Sequence, residues 1–237
     1  MTTSIVLAGA GGDLGGRIAR ALVARGAEVR ALVRHDLKRE ERARIEALGA
    51  TAVPADPGNV DDMAAACAGA ACVVSALNGL RDVMIDRQGV LLDAAARAGV
   101  PRFISSDYSA DFTKTRPGQN RNFDLRREFI VRADAAPIRV TSILNGAFLD
   151  MLGAEMPIIQ RRIHRVLYWH DEDQLLDFTS KDDIAAYTAA AALDEGTARI
   201  LRIAGDSVTV RDIAATMSEV TASGIAPCGW AASARSA

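Results

Sequence analysis

At 237 residues, with 49% hydrophobic and 24% charged side chains, the chain has the composition of one large folded domain with at most a small appendage, not of a disordered segment. Twenty-eight lysines and arginines face 30 aspartates and glutamates, a formal charge of −2, and aromatic residues make up only 5%. No basic field draws in a polyanion and few rings could stack on bases, so no direct nucleic-acid binding is expected. The start Met1-Thr2-Thr3-Ser4 lacks a basic leader and the apolar run behind it is short, so the expectation is a cytoplasmic protein without a membrane span. Cys67, Cys72 and Cys228 lack C-x-x-C or metal-ligand spacing, so free buried thiols and no metal are expected.

Taken in chain order, Ser4 to Ala8 is a short apolar strand, and Leu14 to Arg25 repeats apolar residues at helical spacing before stopping at Gly26. Glu28 to Val33 forms a second strand, Asp36 to Leu48 a solvated helix, and Thr51 to Ala55 a third strand. Asn59, with Asp62 after it, caps a helix through Ala68. Ala71 to Ala76 is the fourth strand, a helix covers Val90 to Ala98, and Arg102 to Ser106 is the fifth strand. Strands and helices in strict alternation, with the strands continuously apolar, predict an α/β fold: a doubly wound parallel sheet covered on both faces.

Ser109 to Asn122, polar and without period, reads as a long loop of the kind that often serves function. Phe123 to Ala133 returns to helix and Arg139 to Leu144 is a sixth strand, after which the alternation becomes irregular. His164 to Trp169 and Gln174 to Phe178 flank the polar tetrapeptide His170-Asp171-Glu172-Asp173 and predict a β-hairpin. Ser180 with Asp183 opens an alanine-rich helix to Leu193, Arg199 to Ala204 is a strand, and Thr209 with Asp212 caps a helix to about Val220. The expected organisation is a dinucleotide-binding domain over 1–150, to which later segments return, a small C-terminal substrate lobe over 151–220, and a disordered or loosely docked tail over 221–237.

Gly9-Ala10-Gly11-Gly12-Asp13-Leu14-Gly15 lies between the first strand and the first helix, where backbone amides and a helix N-terminus can hold a pyrophosphate. Gly9, Gly12 and Gly15 permit a tight turn, close approach to phosphate and close packing of helix on strand, while Gly11, Asp13 and Leu14 supply the intervening amides. The absence of a Gly-Lys-Ser/Thr sequence excludes a Walker A loop. At the end of the second strand, where an acid would accept from a ribose 2′-hydroxyl, the chain carries Arg34, followed by His35 and Lys38. Positive charge there fits a 2′-phosphate, so NADP(H) is expected over NAD(H).

Together, Gly9 to Gly15, Val33-Arg34, Asp56, Val73 to Leu77, Arg102-Phe103-Ile104-Ser105-Ser106-Asp107-Tyr108 and Thr141 to Phe148 resemble the NmrA-like, isoflavone-reductase-like atypical short-chain dehydrogenases in order and spacing. The resemblance covers residues 4–220 and implies a Rossmann domain carrying a substrate lobe that is shortened here. It also implies that Asp56 sits near the adenine, that Ala76, Leu77 and Asn78 run beside the cofactor, and that Ser105 to Tyr108 flank the nicotinamide.

The Tyr-x-x-x-Lys pair common in short-chain dehydrogenases is absent: Tyr108 is followed four residues on by Phe112. Isoflavone-reductase-like proteins place a catalytic Lys in the helix before the Thr-Ser-Ile-Leu strand, and the corresponding position here is Arg126, which can stabilise an oxyanion but is a poor acid or base. Two readings follow. In one, the protein is an NADPH-dependent reductase of a small carbonyl, quinone or enone, with Tyr108 donating a hydrogen bond or proton and Arg126 or Ser106 supporting negative charge. In the other, it is a non-catalytic dinucleotide redox sensor with a regulatory protein partner, its mobile part the loop from Ser109 to Asn122. The sequence specifies neither substrate nor oligomeric state.

Overall fold

The structure, a computed structural model, describes residues 2–152 and 158–229. In chain order the first elements are β1 (Ser4–Ala8), α1 (Asp13–Ala24), β2 (Glu28–Val33), α2 (Arg39–Glu46), β3 (Thr51–Pro54), α3 (Val60–Cys67) and β4 (Cys72–Ser75). A π-helical segment, Asp82–Arg87, then runs directly into α4 (Gln88–Arg97), followed by β5 (Arg102–Ser109), α5 (Arg121–Ala135) and β6 (Arg139–Leu144). Next come β7 (Ala147–Phe148), β8 (Ile159–Gln160), β9 (Arg165–Tyr168), β10 (Leu176–Thr179) and α6 (Lys181–Leu193). The last are β11 (Ile200–Arg202), β12 (Asp206–Val208), α7 (Val210–Thr221) and β13 (Ala226–Gly229).

The chain divides into two compact units. The first comprises residues up to Leu144 together with Lys181–Arg202. It holds a seven-stranded sheet in the order β11-β6-β5-β4-β1-β2-β3, parallel throughout, so the doubly wound α/β fold read from the strand pattern is the fold observed. Continuous apolar strands are the reason: Ile5, Val6 and Leu7 in β1 and Val73 and Val74 in β4 are all at 0% exposure, as strands covered by helices on both faces must be. Val6, Val73, Leu91, Leu92, Phe103 and Phe129 lie in one core cluster of this unit. Each such side chain contributes about 1.5–3 kcal/mol by leaving water. Strand β1 pairs with β2 on one side and β4 on the other, so the order reverses there, and in open parallel sheets ligands bind outside the strand C-termini at that reversal.

Three expectations need correction. The Ser109 to Asn122 stretch is largely tied down: β5 continues to Ser109, a 3-10 turn spans Phe112–Lys114, and Phe112 is at 0% exposure. Arg127 donates to the carbonyls of Phe112 (2.8 Å) and Thr115 (2.6 Å) from Nη2 and to Asp124 (2.6 Å) from Nη1. Second, the hairpin does not form. β9 lies between β8 and β13, whereas β10 lies between β7 and β12, so the two strands belong to different three-stranded sheets. The tetrapeptide between them lacks the residues a tight hairpin turn needs, and its acids Glu172 and Asp173 instead pair with Arg211 at 2.6 and 3.0 Å. Third, the segment after 220 is not without structure, since β13 pairs in parallel with β9 from Ala226↔Arg165 to Gly229↔Tyr168. Residues 230–237 of that expected tail lie outside the described residues.

The second unit takes Asn145–Ser180 and the chain from Ile203 onward, so it begins a few residues before the boundary expected at 150, and α6 and β11 belong to the first unit. Its core gathers Val166, Phe178, Val210, Ile213, Ala214 and Ile225. α7 starts with both bonds of a capping box, Thr209 accepting from the Asp212 amide and Asp212 accepting from the Thr209 amide. Among the described residues no helix is long and apolar enough to cross a membrane.

Candidate functional site

The glycine loop closes the crevice at the end of β1. Gly9 sits at φ +91°, and a Cβ there would lie 2.6 Å from the Ala76 carbonyl oxygen, so the loop rests directly on the chain leaving β4. A Cβ on Gly15 would lie 2.0 Å from the Gly9 carbonyl oxygen, which makes Gly15 a requirement of the packing of α1 on the loop. A Cβ on Gly11 would meet nothing within 4 Å: its face is open. Gly12 is the N-cap of α1 in extended conformation and offers no side-chain cap to the first-turn amides, leaving donors at the positive end of the helix dipole for an anion. Asp13 does not occupy that position as a free acid. It accepts from Arg17 Nε at 2.8 Å and Lys181 Nζ at 3.0 Å, and these bonds, led by Arg17, hold its carboxyl below the usual range. Leu14 continues the first turn. Beside the loop, Gly11, Gly12, Arg20, Leu37, Arg44 and Leu48 are among the residues lining a cleft of about 510 Å³.

Arg34 follows β2 with its side chain 63% exposed, its Nε 3.6 Å from an exposed Asp36 carboxylate. An ion pair this long and this solvated contributes little and leaves the guanidinium available to a phosphate. His35 is tied instead to Asp62 at 2.9 Å, and the same Asp62 oxygen accepts from the Asp56 amide at 2.7 Å. Asp62 therefore does not close a capping box on Asn59, whose side chain alone caps α3. Asp56 is exposed and accepts from the Gly58 amide at 2.9 Å, so its carboxylate shapes the turn after β3.

At the ends of β4 and β5 the residues expected beside the nicotinamide separate into distinct settings. Asn78 is exposed, while Ala76 and Leu77 are half-buried on the loop. Ser106, 4% exposed, donates from Oγ to the Leu77 carbonyl at 2.6 Å and from its amide to Gln88 Oε1 at 2.9 Å. Gln88 Oε1 also accepts from Ser75 Oγ at 2.7 Å, so this fully buried amide, at the junction of the π-helical segment and α4, ties β4 to β5. Ser105 Oγ donates to Asp107 Oδ2 within the interior. Tyr108 is 5% exposed, its hydroxyl buried beside Thr188 of α6, and burial pushes the phenol well above its usual value. In this position Tyr108 packs the core.

Arg126, from α5, donates from Nη1 to the Asn122 carbonyl at 3.0 Å, while its buried Nε has no partner. Burial lowers its affinity for a proton, and the charge of Asp107 opposes that shift. Gln88 is the polar residue of the site that sequence reasoning passed over, and Asp107 entered it only within the Ser105 to Tyr108 stretch, with no role of its own. A signal for Asp107 existed: an acid two residues from Ser105 in a buried strand shares its face and needs partners there.

The pattern of the NmrA-like family matches residues 1–226. Pinoresinol reductase 1 of Arabidopsis thaliana is 29% identical over 209 residues, which cover 82% of this chain and 66% of that protein, just under two thirds of its length. The structure of AtPrR2 with NADP+ and (+)pinoresinol superposes with a TM-score of 0.82 at 23% identity, covering 97% of this chain and 79% of that one. An NADPH-dependent quinone oxidoreductase from Escherichia coli superposes with a TM-score of 0.76 at 19% identity, covering 95% and 78%. At these identities the two solved structures speak to the fold.

Proposed function

Because the chain belongs to the NmrA-like family, we propose that it is an NADP(H)-binding oxidoreductase acting on a small carbonyl, quinone or enone. The observation that carries this reading is the pairing of an uncapped, glycine-built α1 N-terminus, after β1, with an available guanidinium at Arg34, after the adjacent β2. Such a pair suits the pyrophosphate and the 2′-phosphate of one dinucleotide. Names among its relatives point the same way, since pinoresinol reductase 1 is a reductase and the Escherichia coli protein is an NADPH-dependent quinone oxidoreductase.

In this reading Gly9, Gly11, Gly12, Asp13, Leu14 and Gly15 form the diphosphate cradle, and Arg34 holds the 2′-phosphate. Asp56 shapes the adenine side, and Ala76, Leu77, Asn78 and the backbone at Ser105 border the nicotinamide half. NADPH, when bound, supplies a hydride. Arg126 then stabilises the negative charge that develops on the substrate oxygen, and Ser106 fixes the wall beside it through its bond to Leu77. The proton reaches that oxygen from solvent, because Tyr108 is turned into the core.

That same burial favours a second reading, a dinucleotide sensor that binds NADPH without turning it over. NADPH oxidation followed across a panel of quinones, enones and aldehydes separates them. The oxidoreductase reading predicts turnover with at least one; tight NADPH binding with no oxidation by any would establish the sensor instead.

A further inference from the structure

The carboxyl of Asp107 is at 0% exposure in β5. Its Oδ2 accepts from Ser105 Oγ and, at 2.6 Å, from Ser142 Oγ of β6, while its Oδ1 has no partner. Two cations face it. Arg199, preceding β11, donates to Ser142 Oγ at 2.9 Å and is paired with Asp134. Arg126, from α5, acts on Asp107 through space and has its own buried, unpartnered Nε. The remaining titratable neighbour is Tyr108, on the same strand, whose phenol feels the Asp107 charge. Among the described residues no cation stands in ion-pair contact with either Asp107 oxygen. A wholly buried carboxylate with one bare oxygen and no paired cation costs far more than the neutral acid in the same place.

We propose that Asp107 is a positioning residue carried as an uncharged acid, so that the charge of the neighbouring Arg126 is left whole for an incoming oxyanion. Ionised, Asp107 would neutralise Arg126 from within; neutral, it does not. This inference rests on the oxidoreductase reading only for the use made of Arg126. The direction in which Asp107 shifts agrees: burial raises it, against the two serine bonds and the two arginines.

The test is infrared spectroscopy of the full chain labelled with carbon-13 at aspartate. At neutral pH the wild type should show the C=O stretch of a protonated carboxyl, and Asp107→Asn should lose it. In Arg126→Leu the band should persist to higher pH by about half a unit or more, because the cation that favours ionisation is gone. Absence of the band, its survival in Asp107→Asn, or an unmoved titration in Arg126→Leu would each overturn the proposal. The wild type and Arg126→Leu decide the matter even if Asp107→Asn does not fold. With 1,4-naphthoquinone as substrate, wild-type NADPH oxidation should fall about tenfold per pH unit above the Asp107 titration and the rate of Asp107→Asn should not. An equal fall in both overturns the link to catalysis. No turnover in either, with 1,4-naphthoquinone or with any other member of the panel, sinks the oxidoreductase reading, while the infrared band still reports the state of Asp107.

Discussion

Gly11 and Gly15 differ in one respect that decides their substitution: what a methyl group would meet. At Gly15 it meets the Gly9 carbonyl oxygen at 2.0 Å, backbone that cannot give, whereas at Gly11 it enters open space. Gly15→Ala is therefore expected to lower unfolding stability by roughly 2–4 kcal/mol. Gly11→Ala should melt with the wild type yet weaken NADPH by about tenfold, because only the approach of phosphate is hindered. Thermal melts beside fluorescence titrations check both, and a Gly11→Ala protein that binds NADPH normally would remove the loop from the site. At this scale the glycines were legible in the sequence because their spacing between strand and helix carries the signal, even though Gly9 also rests on Ala76. Asp107 and Gln88 were not, because what makes them important arrives from elsewhere: Ser142 and Arg199 for the acid, Ser75 and the Ser106 amide for the amide. The Tyr108 expectation came from its position in a resembling motif, and only the placement of α6 shows the hydroxyl turned into the core.

Among the elements, the connection from β5 to α5 bears most directly on the sensor reading, which needed it to move. Phe112 is buried completely and Arg127 clamps the carbonyls on either side of it. Phe112→Ala should lower stability by about 3–5 kcal/mol. Arg127→Ala should leave the fold intact but speed tryptic cleavage at Lys114 and Arg121 several-fold, while in the wild type these sites resist cleavage with NADP+ and NADPH alike. A wild-type pattern that changes between the two cofactors would restore a switch in this segment. The parallel strands could be read from sequence because burial on both faces writes itself as an unbroken apolar run. The small sheets of the second unit could not: β10 pairs with β7 and β12 and β9 with β13, all distant in the chain, and Ala226-Pro227-Cys228-Gly229 has no strand pattern of its own.

For the molecule as a whole, a net charge of −2 conceals a local arrangement in which the uncapped start of α1 and the exposed Arg34 follow adjacent strands, β1 and β2, where the order of a parallel sheet reverses. That arrangement, more than overall composition, distinguishes a dinucleotide protein from any other α/β domain, and it makes the cofactor the central claim. Calorimetric titration of wild type and Arg34→Ala with NADPH and with NADH tests it most directly. NADPH should bind more tightly than NADH to the wild type, and Arg34→Ala should weaken NADPH by about 10- to 100-fold while leaving NADH nearly unchanged, since only NADPH carries the phosphate. Equal loss of both cofactors in Arg34→Ala, or a wild type that prefers NADH, would contradict the account.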